Sequence, residues 1–350
     1  MEWLTERKRN VTTKIWINRA RTYKTHLIDM LRSNPDGRPV EIYTTHVEAS
    51  PATARADHYS AEPSRETPDE EYAAWALEFA ERNGIDFLLP SDRVVALSHY
   101  QHEFARIGTT LLSAPNPDRA AVTNSKTETY RLAAEAGLRV PLHVQVSTAA
   151  DFRDAVRKIE WQGFPACVKP DTGWAADGFW LINHRRPSAS ELFTRGQRTV
   201  RAEDYARALH DLEDGGEKIP PLIVMPYMDD PETSIDCLTA SDGQVVTTIA
   251  RSKGRYARTF SDDPAVHHIA RTMAQALGIT YLSNVQTRML DGEPMLLEVN
   301  PRASDGLPHC MATGINLAWE AVRLASGEPV RALRPDTSKL LYVVDSIIEL

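Results

Sequence analysis

The chain has 350 residues, 42% hydrophobic and 25% charged, with 40 Lys plus Arg against 48 Asp plus Glu and a formal net charge of −8. That apolar share is too high for a disordered chain, the long apolar runs of a membrane protein are missing, and the acidic balance argues against general nucleic-acid binding. An anionic small molecule held in a locally basic cleft stays open, and with only 9 lysines among the 40 basic residues each lysine's position is informative.

Residues 1–10 are charged and lack the apolar core of a signal peptide. Cys167, Cys237 and Cys310 are odd in number and far apart, which points to neither a disulfide framework nor a cysteine zinc site. The cytoplasm is the expected compartment. Residues 13–18 read as a first strand, 23–31 as a helix, Asn34-Pro35-Asp36-Gly37 as a turn and 40–45 as a second strand. A helix over 69–82 closes at Asn83-Gly84 and 86–89 is a short buried strand. Ser91-Asp92 then suits the N-cap of a helix running to about Arg106. Strands alternating with helices imply a parallel sheet covered on both faces. No G-x-G-x-x-G follows the first strand, so a nicotinamide fingerprint is absent. This first α/β domain is placed at residues 1–115.

Beyond it the pattern changes. Helices over 125–136 and 148–161 precede a strand at 166–169, a glycine-containing turn and a strand at 178–182. The stretch 183–200 is polar, Arg-rich and reads as an exposed loop. Runs 233–240 and 244–250 flank Asp242-Gly243, and runs 281–290 and 294–300 flank Asp291-Gly292. Asp-Gly between apolar alternating runs is a hairpin signal, so the second half reads as antiparallel-rich α+β.

Three segments carry chemistry. Lys169 ends an apolar strand and is followed by a turn containing Gly173 and Gly178, an arrangement suited to phosphate, though Lys before Pro also suits a solvated strand edge. The run Leu222–Met228 with Glu232 beyond it offers backbone and flat apolar surface to an adenine ring and a carboxylate to a ribose. It equally suits a core strand with a turn at Asp229-Asp230-Pro231. The third segment is the Asp291-Gly292 hairpin. Residues i and i+2 of a strand share a face, so Glu298 and Asn300 project together while Leu297 and Val299 pack inward, with Gln286 on the partner strand. Their oxygen donors suit Mg²⁺ sharing its shell with phosphate oxygens, and Arg302 adds a cation just past the strand. Asn124-Ser125-Lys126-Thr127 lacks the glycine loop of a P-loop, and no kinase catalytic-loop signature is present.

In this order the residues resemble the ATP-grasp superfamily, specifically its carbamoyl-phosphate-synthetase-like carboxylate–amine ligases, over about residues 115–330. The resemblance implies a Rossmann-like pre-ATP-grasp domain (1–115) followed by a two-lobed ATP-grasp fold. Its small subdomain with the glycine loop falls at 116–224, and its C-terminal lobe with metal site and tail at 225–350. By resemblance, Lys126 and Lys169 match the two ATP lysines, and Gly173 to Gly178 the loop over the triphosphate. Met225, Tyr227 and Met228 fall in the adenine hinge and Glu232 at the ribose. Gln286, Glu298 and Asn300 match the Mg²⁺ ligands, with Mn²⁺ as the other ion considered, and Arg302 belongs to the Asn-Pro-Arg signature. The stretch Thr313–Leu317 resembles the family's closing helix.

The implied reaction is ADP-forming. A small-molecule carboxylate takes the γ-phosphate and an amine displaces it, with Lys169 and Arg302 as catalytic cations. Arg255, in the basic run 251–258, is a third candidate for meeting the acid or its acyl phosphate, although the run also reads as a solvated loop. Residues 304–311, with Asp305, His309 and Cys310, are candidates for lining the acceptor pocket. The pairs His99/His102 and His267/His268 read as surface residues. Departures are Met225 where many members carry Glu, a loop thinned by Trp174 and two alanines, and the neutral Gln286, which leaves Glu298 as the only metal carboxylate. Expected partners are small-molecule substrates and a second copy of the chain, with no nucleic acid or membrane. The rival readings are an ATP-grasp kinase leaving a stable phosphorylated product and a nucleotide-binding protein without turnover.

Overall fold

The strand–helix alternation of the first hundred residues closes into a five-stranded sheet. In the computed structural model, which describes residues 12–173, 177–185, 198–254 and 256–344, its strands are β1 (Thr13–Ile17), β2 (Val40–His46), β3 (His58–Ala61), β4 (Phe87–Leu89) and β5 (Thr110–Leu111). They pair in parallel in the order β3-β2-β1-β4-β5, with Ile15 opposite both Ile42 and Phe87. The chain therefore winds one way from β1 and then returns to the other side through β4. Ile15, Trp16 and Ile17 are fully buried, as a parallel strand covered on both faces requires. The helix Asp69–Asn83 ends on left-handed Gly84, as the Asn-Gly pair predicts.

One expectation is overturned here. The helix starting at Ser91-Asp92 is two short helices, Val94–Ser98 and Gln101–Arg106, and its N-cap is Arg93 in the left-handed region. Ser91 and Asp92 are engaged elsewhere, since both backbone amides donate to Oδ1 of Asn18 at the end of β1 (2.7 and 3.4 Å).

After β6 (Ser113–Ala114), a second sheet holds β7 (Val144–Val146), β8 (Ala166–Pro170), β9 (Trp180–Asn183), β10 (Thr199–Arg201) and β11 (Leu222–Pro226), in the order β10-β9-β8-β11-β7. Only β10 and β9 pair in parallel. Helices Ala149–Glu160 and Ala202–Asp214 bury Phe152, Ile159 and Leu209 against Val168 and Val224. The stretch read as a loop over 183–200 contributes strand at both ends, Asn183 in β9 and Thr199 onward in β10, while 186–197 lie outside the described residues.

The third sheet contains β12 (Asp229–Thr239), β13 (Val245–Ser252), β14 (Ala257–Ser261), β15 (Thr280–Leu290), β16 (Glu293–Asn300) and β17 (Leu340–Tyr342), ordered β16-β15-β12-β13-β14-β17, with β6 added on β15. Both hairpins form where Asp-Gly announced them. Asp291 and Gly292 both have positive φ (54° and 77°), the pair of conformations a two-residue type I′ connection needs. Asp229–Pro231 belongs to the start of β12, and not to a turn, with a cis peptide before Pro231. On β16 the inward residues are Met295, Leu296 and Val299, while Leu297 is half-buried. Thr313–Leu317 leads into the helix Leu317–Ala325, capped by Asn316, whose Oδ1 accepts from Trp319 N at 3.0 Å.

By contacts the chain divides into two compact units, one of Met1–Ala121, Thr233–Gln286 and Val299–Leu350, the other of Val122–Glu232 and Thr287–Glu298. These lines differ from divisions at 115 and 224 because β12, β15 and β16 are long strands whose two ends belong to different units. In the first unit, Ile15, Ile17, Leu27 and Ile28 share one core with Leu238, Ile249, Leu282 and Trp319. Among the described residues no helix is long and apolar enough to cross a membrane.

Candidate active site

In the second unit Lys126 and Lys169 both feel the charge of Glu298. Lys126 opens the helix Lys126–Glu135, whose N-cap is Ser125. Its ammonium donates to the carbonyl oxygens of Asp171 (3.2 Å) and Gly173 (3.1 Å). Asp171 fastens this junction. Its buried carboxylate accepts from Ser125 Oγ (2.6 Å), Thr127 Oγ1 (2.7 Å) and Thr127 N (2.8 Å), while its own N–H donates to Pro221 O. Burial opposes the charge, but the bonds from Ser125 and Thr127 outweigh it and hold the carboxyl below its usual range.

Lys169, half-buried on β8 opposite Ile223, has its pKa pulled down to about 8, chiefly by burial. Cys167 and Glu298 act to keep it charged, while Lys126 and Arg288 push the other way. Lys126 is likewise lowered by burial, against Glu298 and Asp171. Two ammonium groups that repel each other in a partly desolvated place favour an anion beside them.

Gly173 and Gly178 both have positive φ, and a Cβ on Gly178 would stand 2.7 Å from Cδ and Cγ of Pro170. Residues 174–176 of the glycine loop lie outside the described residues. Met225, on β11, is buried, and its Sδ is approached by the Tyr130 hydroxyl (3.8 Å), which also donates to Leu297 O (3.0 Å). Met228 is buried too, and its carbonyl accepts from Arg288 (3.1 Å). Arg288 pairs in addition with Glu232 (3.6 Å) and Asp230 (3.0 Å). Tyr227 donates its N–H to Pro165 O (2.7 Å) and lies 6.4 Å, centroid to centroid, from the ring of Phe179. Of the expected hinge and ribose residues, Met228 and Glu232 thus share Arg288, a residue the sequence reading did not single out.

In the first unit Gln286 ends a hydrogen-bonded chain. Nδ2 of buried Asn284 donates to Ser234 Oγ (2.9 Å), Ile235 O (3.2 Å) and Asp236 Oδ1 (2.9 Å), which fixes the orientation of that amide. Its Oδ1 then accepts from Gln286 Nε2 (3.4 Å), which orients the Gln286 side chain. Asp236 also accepts from Arg251 Nε (3.0 Å) and Ser304 Oγ (2.7 Å), and Arg251 donates to Ser304 Oγ (2.8 Å). Cys310 Sγ lies 3.5 Å from the same carboxylate, and burial followed by the Asp236 charge pushes its thiol well up, which disfavours a nucleophilic thiolate. Asn300 ends β16, and Arg302, half-buried just beyond it, donates to Ala303 O (3.2 Å). Arg255 lies outside the described residues.

Sequence comparison gives the same direction. A family model described as ATP-grasp in the biosynthetic pathway with Ter operon matches residues 218–345. A carbamoyl phosphate synthase large chain of Rubrobacter xylanophilus is 26% identical over 253 residues, which cover 67% of this chain and 22% of that one. The chain thus spans about a fifth of the length of such curated relatives. Among solved structures, the ADP complex of an N5-carboxyaminoimidazole ribonucleotide synthetase superposes with a TM-score of 0.64 at 14% identity, covering 92% of this chain and 79% of that one. An L-amino acid ligase from Bacillus licheniformis gives 0.62 at 17% identity, covering 92% and 77%. At these identities the structural likeness is one of fold.

Proposed function

We propose that the chain is an ATP-grasp protein and an ADP-forming ligase joining a small carboxylic acid to an amine, a reading supported by the family match over residues 218–345 and by the relatives above. The observation that carries the reading is the seating of the Lys126 ammonium on the Gly173 turn, with Lys169 on the strand that leads into that turn and Lys126 acting on it. In this reading residues 116–224 form the small subdomain with the glycine loop and 225–350 the lobe with the metal donors. Lys126 and Lys169 neutralise the triphosphate, Met225 and Met228 pack the adenine, and Glu232, held by Arg288, meets the ribose.

By the family resemblance Gln286, Glu298 and Asn300 would be the ligands of Mg²⁺, and their amide and carboxylate oxygens are the hard donors that suit that ion. Bound Mg²⁺ would supply charge neutralisation on the phosphates. With one carboxylate in the set, its retention depends on the triphosphate. The acid attacks the γ-phosphorus, forming an acyl–phosphate bond as ADP leaves. The amine then displaces inorganic phosphate to form the amide. The protein's share is alignment and charge.

The test is ADP release with a panel of acids and amines, followed by mass analysis of products. Lys169→Ala and Glu298→Ala should each lower acid-dependent ADP release by about 10²–10³-fold, the usual cost of one preorganised charge donor. Unimpaired turnover in both variants sinks the assignment, and a stable phosphorylated acid as end product replaces it with a kinase.

A further inference from the structure

The doubly wound first sheet changes winding direction between β1 and β4, and ligands of such sheets sit beyond the carboxyl ends of the strands at that switch. The segment leaving β1 carries Arg21 and Lys24, and the segment leaving β4 carries Asp92, 3.7 Å from Arg21. Asn18 ties the two segments together, donating to Asp92 O (3.0 Å) while accepting from Ser91 N. Facing them in the same unit is the loop after β16 with Arg302 and Asp305. Lys24, whose side chain is 4% exposed, reaches Asp305 Oδ1 at 2.9 Å.

The charge balance of this corner is uneven. Three cations, Arg21, Lys24 and Arg302, stand against two carboxylates: all three act on Asp305, itself half exposed, and Asp92 pairs with Arg21. Burying an ammonium is costly unless it is well paired, and an exposed aspartate is a replaceable partner. Lys24 also precedes the helix Thr25–Arg32, which has no side-chain cap and no acidic residue in its first turn, so the helix adds its own preference for an anion. Burial depresses the Lys24 pKa and the two arginines depress it further, against Asp305. Seven residues beyond Arg302, the buried Nδ1 of His309 has no hydrogen-bond partner among the described residues; burial, Arg251, Arg258 and His26 disfavour a charge on that ring, against Asp236.

We propose that Arg21, Lys24 and Arg302 form a subsite for a second anionic group of the acid substrate, a carboxylate or a phosphate, and that Asp305 is the internal counter-ion it displaces. The acid joined by this protein is then a dianionic small molecule, not a simple monocarboxylate. Calling the ligand a substrate rests on the ligase reading above; the anion subsite itself rests on the cluster.

Calorimetric titration of the full chain with L-aspartate, L-glutamate, O-phosphoserine and L-alanine tests it without turnover. The dianionic probes should bind at least about tenfold tighter than alanine, the scale of one charged hydrogen bond. Aspartate and glutamate against phosphoserine separate carboxylate from phosphate. Arg21→Ala, at an exposed position, should remove about tenfold of that preference and Lys24→Met more, while Asp305→Asn should strengthen dianion binding several-fold. Alanine affinity should stay unchanged in all three. Dianionic probes that bind no tighter than alanine, or a preference that survives Arg21→Ala and Asp305→Asn, overturn the proposal. Parallel ADP titrations of the same variants report on the nucleotide site. If no acid supports ADP release while the dianion preference holds, the ligase reading fails and the subsite stands.

Discussion

Replacing Asp236 by alanine strips a buried guanidinium of its counter-ion. The side chains of Asp236 and Arg251 are 0% and 2% exposed, and the pair is closed at 3.0 Å. Leaving one buried charge without the other costs about 3–5 kcal/mol. The lost bonds from Ser304 and Asn284 add about 1 kcal/mol or more, although Asn284 keeps Ser234 and Ile235 O as acceptors. The sum approaches the whole stability of an ordinary domain, about 5–15 kcal/mol. Removing both charges is a different perturbation. Asp236→Leu with Arg251→Met exchanges the pair for apolar groups, and such exchanges are often near neutral, so the double variant should recover all but about 2 kcal/mol. Urea denaturation of Asp236→Ala, of Asp236→Leu and Arg251→Met singly and of their combination measures the cost and the coupling. A single variant within 1 kcal/mol of the parent, by this reckoning on the order of a surface change, refutes the reasoning. So does a double variant no more stable than Asp236→Ala.

Two further outcomes follow from the nucleotide side. An anion selects protonated Lys169, whose pKa in the free protein is about 8, so ADP affinity should be flat below pH 8 and weaken above it, with proton uptake on binding near pH 8.5. Unfolded lysine titrates near 10.4, so between those values the unfolded chain holds more protons and the nucleotide-free protein gains stability as pH rises. Titrations in two buffers of different ionisation enthalpy measure the uptake; none in the parent, or the same uptake in Lys169→Arg, counts against it. Gly178→Ala forces a Cβ to 2.7 Å from the Pro170 ring at a left-handed φ of 69°. It should cost about 1–3 kcal/mol in stability or an equivalent loss of ADP affinity, measured by thermal melts with and without ADP; an unchanged melt and affinity would show that the turn has room.

The amino-acid sequence alone carried whatever depends on neighbours along the chain. Strand–helix alternation announced the parallel sheet, and Asp291-Gly292 announced a hairpin because few other residue pairs accept two positive φ values in succession. The scarcity of lysine singled out Lys126 and Lys169. Where local chemistry offered two partners, sequence reading chose the nearer one and missed. Ser91-Asp92 suits an N-cap, yet Asn18, 73 residues away from Ser91, takes those amides.

The unassigned roles all follow that rule. Asp171 locks Thr127 across 44 residues, Tyr130 reaches Leu297 across 167, and Asn284 reaches Asp236 across 48. Lys24 joins Asp305 from the opposite end of the chain. Hydrophobic period and turn chemistry are written in steps of two to four residues, so they survive without a fold. The pairing of a buried charge has no period, and only the tertiary structure decides which distant group desolvates with it and answers its field.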